Sequence, residues 1–404
     1  MPVLFSPSRE DGLRRLKDYV PLAGSAYAKS RNFDFGPGEH RNVSMLSPYL
    51  RHRLIGEDEV VRAVLSKHRI STADKFVQEV CWRTYWKGWL EQRPQIWDDY
   101  LSGLAHARAA TASGPDVAAR LAAALNGETG LTAFDAWTKE LAATGYLHNH
   151  ARMWFASIWI FTLRLPWELG ADTFYRHLID GDPASNTLSW RWVAGLHTRG
   201  KHYVARAENI RHYTQGRFDP AGDLNEAPDA LQGPEPPPAS RLRPPMSVPA
   251  GDAVVLLVNE DDLTPERWPV AAEQVKGVVL LPVDDSYPGL SDGVRAFRAE
   301  AITDTATRAG RFFGCPVVSL RDAIPDEAVS LCRAVGADKL VTAQVPTGPS
   351  RETYDGLVAQ LAGSGIAAVE IRRDWDSAFW PYARSSFFKV KERIPETLER
   401  LGLM

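Results

Sequence analysis

Two runs of residues decide how this chain is read: Thr144-Gly-Tyr-Leu-His-Asn-His-Ala-Arg-Met-Trp154 and His177-Leu-Ile-Asp-Gly-Asp-Pro-Ala-Ser-Asn-Thr-Leu-Ser-Trp-Arg-Trp192. From Thr144 to Phe218 five Trp are interleaved with Asn, Arg, Asp and His, a mixture that a plain apolar core does not call for. Aromatic faces beside paired charges suit a large, flat, polar cofactor, whose rings need stacking partners and whose heteroatoms need hydrogen bonds. Arg152 and Asp180 each sit between apolar neighbours, so they are expected to be buried as a pair. Such a pair is weak evidence for stability and points to a tuned site. Trp167, Trp190 and Trp192 read either as core aromatics or as stacking and electron-transfer partners.

The rest of the chain frames this block. At 404 residues two domains are expected. Residues 1–220 hold all ten His and ten of the thirteen Trp and carry a net charge of +5, whereas the remainder carries −8. A polyanionic partner would therefore favour the first half. Cys81, Cys315 and Cys332 form no CxxC pair, so neither a disulfide framework nor a metal or iron–sulfur site is indicated, and a reducing cytoplasm fits. No apolar run reaches the length of a membrane span, and a soluble, monomeric, cytoplasmic protein is expected.

Proline density between Gly216 and Gly251 marks a semi-rigid linker, giving domains at 1–220 and 251–404 joined by 221–250. Before the linker the apolar period is helical, as in Asp74–Gln92, with Ser71-Thr-Ala-Asp74 as a capping box, and again from His150 to about Arg164. The first domain is expected to be all-α. After the linker, short β-branched runs at Val254–Val258, Val278–Val283, Val317–Leu320, Leu340–Ala343 and Ala368–Ile371 alternate with helices near Gly293–Arg311, Asp322–Val335, Arg351–Ala362 and Lys389–Leu401. Gly314 and Gly336 stand where helices should stop. That alternation predicts a Rossmann-like, doubly wound parallel α/β domain. Yet its first strand leads into Asn259-Glu-Asp-Asp262 instead of a Gly-rich phosphate turn, so the second domain reads as a scaffold or accessory module.

In the first domain, Ser44 and Ser47 precede a helix start, where hydroxyls and free amides hold phosphate oxygens, or simply begin a Ser-Pro helix. Glu79, Trp82, Arg83 and Trp86 recur at three- and four-residue steps and share one helix face, as a pocket rim or as a solvated ion pair beside two Trp.

With these pieces assembled, the first half resembles the FAD-binding domain of the photolyase and cryptochrome family. The matching segments are Tyr27-xxx-Arg31, Ser44-Met-Leu-Ser-Pro-Tyr-Leu50, Glu79-Val-Cys-Trp-Arg83, Thr144 to Met153, Asp180-Gly-Asp-Pro-Ala-Ser-Asn186 and Ser189-Trp-Arg-Trp192, in family order over about 190 residues. The resemblance implies that Tyr27, Ser44, Leu46 and Ser47 meet the FAD phosphates and ribityl chain. It places Arg83 against the flavin, Arg152 and Asp180 beside its ring, Asp182 near the adenine side, and Asn186 opposite N5. It further puts Glu79, Trp82, Asn149, Met153 and Trp192 around a flipped pyrimidine dimer, with the two Trp sandwiching it; photolyases are among the enzymes known to flip their substrate bases. Asn149 and Met153 stand where the (6-4) branch has its paired His. Trp190 and Trp167 match the inner two members of an electron relay whose outer Trp has no counterpart near Gly114, which leaves Trp86, Trp154 or Trp159 as other exits.

Departures are Val43 and Met45 in the phosphate loop and His150 in place of a frequent Arg. The order of the halves is also inverted, as in a circular permutation, with an antenna-like α/β region from Val254 through Trp380 to Phe387-Phe-Lys-Val-Lys-Glu-Arg-Ile-Pro395. The implied function is FAD-dependent, blue-light-driven repair, in which reduced flavin passes an electron to a cyclobutane pyrimidine dimer in DNA and recovers it after the ring splits. The alternative is a cryptochrome-like photoreceptor acting on a protein partner. A second antenna chromophore of unknown identity is allowed for.

Overall fold

The computed structural model describes residues 4–281, 287–320 and 324–404. Among the described residues, all elements up to Tyr213 are helical, and the five strands all lie from Val254 onward. The fold is a helical domain with a parallel five-stranded α/β sheet. β1 (Val254–Val258), β2 (Val275–Leu280), β3 (Val317–Ser319), β4 (Lys339–Ala343) and β5 (Ala367–Ile371) pair in the order β3-β2-β1-β4-β5, every neighbour parallel. The sheet is covered on both faces, which is why β1 is an unbroken apolar run, buried throughout. Val255 and Leu257 pack on helices Asp326–Ala334 and Pro349–Gln360 through Leu331, Tyr354 and Leu357. Val254, Leu256 and Val258 join a cluster that continues without a break into the helical half, from Phe5 to Trp190.

Several boundaries differ from expectation. The long helix starts at Ile70 with Arg69 as N-cap and no side-chain cap, so Ser71–Asp74 lies inside its first turn and forms no capping box. Burial of Phe76, Val77 and Val80 sets its start instead of a local polar signal. The helix expected from His150 to Arg164 runs from Asn149 to Ser157 and then widens into a π-helical turn, Ile158–Thr162. Arg164 ends it with φ 52°. One helix was expected from Lys389 to Leu401, but two short ones form, Phe387–Lys391 and Ile394–Arg400, because Pro395 can occupy only a first turn. The expected strand end at Val283 and helix start at Asp322 lie outside the described residues. Gly314 and Gly336 do end helices, at φ 63° and 69°.

Residues 217–249 contain no helix or strand and lie pinned across both halves. Leu231 N–H donates to the Ala194 carbonyl (3.0 Å), Ser240 N–H to Gln92 (2.8 Å), Arg93 Nε to Pro237 (2.8 Å), and Met246 N–H to Glu370 on edge strand β5 (3.0 Å).

A buried ionic seam joins the halves. Arg51, Arg53, Arg298 and Arg373 interlock with Glu260, Asp261, Asp262, Glu57 and Asp376. Arg53 Nη2 meets Asp376 at 2.6 Å and Arg298 Nη1 meets Glu260 at 3.1 Å. The acidic turn after β1 thus serves the interface: Leu263 N–H donates to the His52 carbonyl (2.9 Å) and Thr264 Oγ1 to that of Arg53 (3.0 Å). Burial alone would push the Asp262 carboxyl up, but Arg373 and Arg53 hold it below its usual value. Its contribution is therefore present above the unfolded carboxylate pKa and lost as the pH falls through the depressed one.

Replacing one buried partner strands the others, so Arg53→Met should cost about 3–5 kcal/mol in chemical denaturation. Its stability should also fall less steeply than wild type's below a pH of about 4.

Candidate functional site

The site is a cavity of about 380 Å³ in the helical half, walled by the helices Ile70–Glu91, Asn149–Ser157, Trp167–His177 and Pro183–Ala194. The long helix contributes Glu79, Trp82, Arg83 and Trp86, which do share one face. Asn149, Arg152 and Met153 enter from the next helix, and Asp180, Asp182, Asn186, Trp190 and Trp192 from the loop and helix that follow, with Ser47 alongside.

Local sequence explains the placement. Asp182 caps the helix Pro183–Ala194, its Oδ1 accepting from Ser185 N–H at 2.7 Å, with Pro183 in the first turn and Gly195 closing the end at φ 82°. Asp182 also pairs with Arg83 Nη1 at 3.2 Å. Burial opposes the charged form, yet Arg83, Lys87 and Arg51 hold its pKa down at about 2. Two residues earlier, Asp180 takes a bidentate pair from Arg152, Nη1 to Oδ1 at 3.0 Å and Nη2 to Oδ2 at 2.9 Å. Arg152 Nε donates to the Leu147 carbonyl, so the guanidinium plane is fixed. Ser47 also hydrogen-bonds the Asp180 carboxyl, which stays below its usual pKa despite complete burial. Between the two carboxylates, Gly181 is obligatory: a Cβ there would come within 2.9 Å of the Leu178 and Tyr175 carbonyls. Its own carbonyl accepts from Arg51 Nε at 2.7 Å, tying the site to the ionic seam.

Asn186 Nδ2 donates to the Ala171 carbonyl at 2.7 Å, which orients the amide so that Oδ1 is left as the acceptor. Trp190 lies against Gly170, where a Cβ would strike its ring at 2.3 Å, and meets Phe174 and Trp159 edge-on at 5.1 and 6.2 Å. Two cavity-lining residues keep buried polar atoms without partners, Ser185 Oγ and Trp190 Nε1. Unpaired buried donors beside two Arg–Asp pairs and four indoles are what a polar, planar ligand would satisfy. Glu79 reaches solvent through the cavity mouth, yet protein surrounds it on its other sides, and this desolvation raises its pKa against the pull of Arg31 and Lys75.

Other expected residues lie apart. Tyr27 is buried against Tyr19 and Phe76, Leu46 is buried as the N-cap of a short helix Ser47–Arg51, and Ser44 is half-buried in the preceding loop; none lines the cavity. Met45 takes φ 52° in that loop. His150 stacks on Trp154 at 4.4 Å and bonds the Asn32 carbonyl. Trp167 faces a separate surface groove, packed on Tyr100 at 5.8 Å. Sequence reading missed Ser185 and Ser189, which line the cavity; their spacing from Asn186 and Trp192 on one helix was the available signal. Among the described residues, no group of His, Cys, Asp and Glu could hold a metal ion, and no helix is long and apolar enough to cross a membrane.

Comparison with known proteins gives this geometry a class. Residues 76–226 match the FAD binding domain of DNA photolyase, so the chain carries an FAD-binding domain. Among curated relatives, the deoxyribodipyrimidine photo-lyase of Streptomyces griseus is 32% identical over 204 residues, covering 47% of this chain and 43% of the relative. That of Agrobacterium fabrum is 31% identical over 199 residues, covering 48% and 39%. Among solved structures, a class III photolyase from Agrobacterium tumefaciens aligns with TM-score 0.43 at 26% identity, covering 52% of this chain and 44% of that one. A cryptochrome from Synechocystis aligns at 0.40 and 22%, with 52% and 44% covered. The domain match and the curated relatives liken this part of the chain to the FAD-binding domain of photolyases. The chain spans about two-fifths of the length of the curated relatives named here.

Asp182→Asn keeps the helix cap but removes the charge opposite Arg83. The flavin-to-protein absorbance ratio after gel filtration should fall about three- to tenfold, and the acid loss of stability, which in wild type runs from a pH of about 4 toward about 2, should flatten.

Proposed function

We propose that this protein binds FAD and uses blue light to split cyclobutane pyrimidine dimers in DNA. One observation carries the reading: the residues assigned to the flavin (Ser47, Arg83, Arg152, Asp180, Asp182, Asn186) and those assigned to the lesion (Glu79, Trp82, Asn149, Met153, Trp192) line a single cavity. Bound there, FAD would supply a light-driven electron donor. The chain's own residues do the rest. Arg152 and Arg83, each anchored by an Asp, offer fixed positive charge where reduced cofactor would carry negative charge. Asn186, its Nδ2 held by the Ala171 carbonyl, presents Oδ1 to accept a hydrogen bond from a proton-bearing ring nitrogen. Trp82 and Trp192 offer flat surfaces to an extruded dimer, which stacks poorly in the duplex and so costs less to flip. Glu79, with its raised pKa, is suited to donate a hydrogen bond to a pyrimidine carbonyl. Tyr27, Ser44 and Leu46 keep their assignment to the phosphate and ribityl end.

Trp190 and Trp167 are proposed as the route that reloads the cofactor with electrons. Trp159, edge-on to Trp190 at 6.2 Å, supplies a second branch. The order of the halves is proposed as a circular permutation of the family's architecture, with boundaries near residues 220 and 250. The cryptochrome-like alternative, signalling through a protein partner, gains from the acidic second half.

Purified protein with reduced FAD should restore a dimer-containing oligonucleotide under blue light and not in the dark. Bound, reduced flavin without repair would refute the enzyme. DNA affinity should fall steeply with salt, whereas a receptor would bind DNA hardly at all. Because Glu79 donates only when protonated, wild-type lesion binding should weaken as pH rises through its raised pKa, above the ordinary value of about 4.3. Glu79→Gln should bind independently of pH over that window, and Glu79→Ala should bind about tenfold more weakly. Trp190→Phe should abolish photoreduction, and Trp167→Phe against Trp159→Phe decides the branch.

A further inference from the structure

Trp82 is not free to choose its orientation. One face of its indole is covered by the Phe387 ring, centroids 3.8 Å apart and planes 14° from parallel, and this is the tightest aromatic stack among the described residues. Phe387 comes from beyond the sheet, at the start of the helix Phe387–Lys391, and is itself buried against Tyr85 at 5.8 Å. The segment leading to it is fastened along the long helix that carries Glu79, Trp82, Arg83 and Trp86. Trp375 Nε1 donates to Thr84 Oγ1 (2.9 Å), Tyr85 Oη to the Ser385 carbonyl (2.6 Å), Gln92 Nε2 to that of Trp380 (3.0 Å) and Arg93 Nη2 to that of Arg384 (2.6 Å). At Gly88 the fit is so close that a Cβ would lie 2.7 Å from the Trp380 ring.

These anchors fall on the side of the helix away from the face that lines the cavity, and Trp82 stands at the edge of that face nearest Tyr85. Trp82 itself lines the cavity, with Trp86 tilted beside it at 5.3 Å. A half-buried Trp at a cavity mouth would otherwise lose rotamer freedom on binding, and fixing it beforehand lowers that cost.

We propose that Phe387 is a positioning residue: it holds Trp82 as a one-faced stacking platform, so that the C-terminal segment governs affinity for the substrate without touching it. The proposal rests on the lesion-binding reading of the cavity, and its occupant is a flipped pyrimidine dimer. It also gives the α/β half a role in the repair site independent of any chromophore.

The test compares Phe387→Leu, which keeps apolar volume and removes the ring, with Phe387→Tyr, which keeps the ring. Dimer-containing and undamaged oligonucleotides are titrated by fluorescence anisotropy. The same variants are labelled with 5-fluorotryptophan, the Trp82 resonance being identified by its loss in Trp82→Phe. Phe387→Leu should weaken binding of the dimer about three- to tenfold, leave undamaged DNA and flavin content unchanged, and shift the Trp82 fluorine resonance; Phe387→Tyr should restore the dimer affinity and the resonance. Unchanged dimer affinity in Phe387→Leu, or loss not rescued by Phe387→Tyr, would overturn the proposal. Should wild type show no preference for the dimer, the repair reading fails, and an unmoved Trp82 resonance in Phe387→Leu then overturns the positioning role separately. Phe387→Met, which fills volume flexibly, replaces Phe387→Leu if that variant does not fold.

Discussion

Arg51 is the residue on which the rest of the structure turns. Its guanidinium is almost wholly buried, so it must be paired on every side: Glu260 and Asp261 from the turn after β1 take two nitrogens, and the Gly181 carbonyl takes Nε. Because Gly181 lies between Asp180 and Asp182, the contact that joins the two halves also sets the backbone that presents both carboxylates to the cavity. Arg53, two residues on, repeats the arrangement with Asp262 and Asp376. Buried charges of this kind add little net stability but exclude other arrangements, since a shifted register would leave them unpaired.

The same seam changes what the α/β half can do. In open parallel sheets, ligands sit outside the carboxyl ends of the strands where the order reverses, here between β1 and β4. Both of those ends are already engaged by the helical half. The β1 turn is locked by Arg51 and Arg53, and after β4 the Thr347 N–H and Gln344 side chain donate to the buried carboxylate of Glu91. These contacts take up backbone and side-chain groups that a ligand in that crevice would otherwise use. What the α/β half does supply is a brace along the helix Ile70–Glu91, one of the four helices that wall the cavity.

Much of this was legible in the sequence. Helical periodicity around Trp82 and the β-branched runs beyond Val254 marked the two layers, because both patterns reflect burial directly. Arg152 and Asp180, flanked by apolar residues, could be read as a pair. Hidden were the features that depend on distant partners. Leu50-Arg-His-Arg53 and Glu260-Asp-Asp262 are short runs of opposite charge about 210 positions apart, and nothing local says that they meet. Phe387 stood just ahead of the helix expected at Lys389–Leu401, with nothing local to mark it, yet its ring stacks on Trp82. Tyr27 and Leu46 were named from resemblance, and the local packing of Tyr19, Tyr27 and Phe76 keeps Tyr27 away from the cavity wall.

The central claim is that flavin and pyrimidine dimer share one cavity, close enough for an electron to pass between them. The most direct measurement is the fluorescence lifetime of the reduced flavin in the purified protein, with undamaged and with dimer-containing DNA. Shortening by the dimer alone, and none in Trp82→Ala, is the expected result. An identical lifetime with both DNAs at saturating concentration would contradict the account.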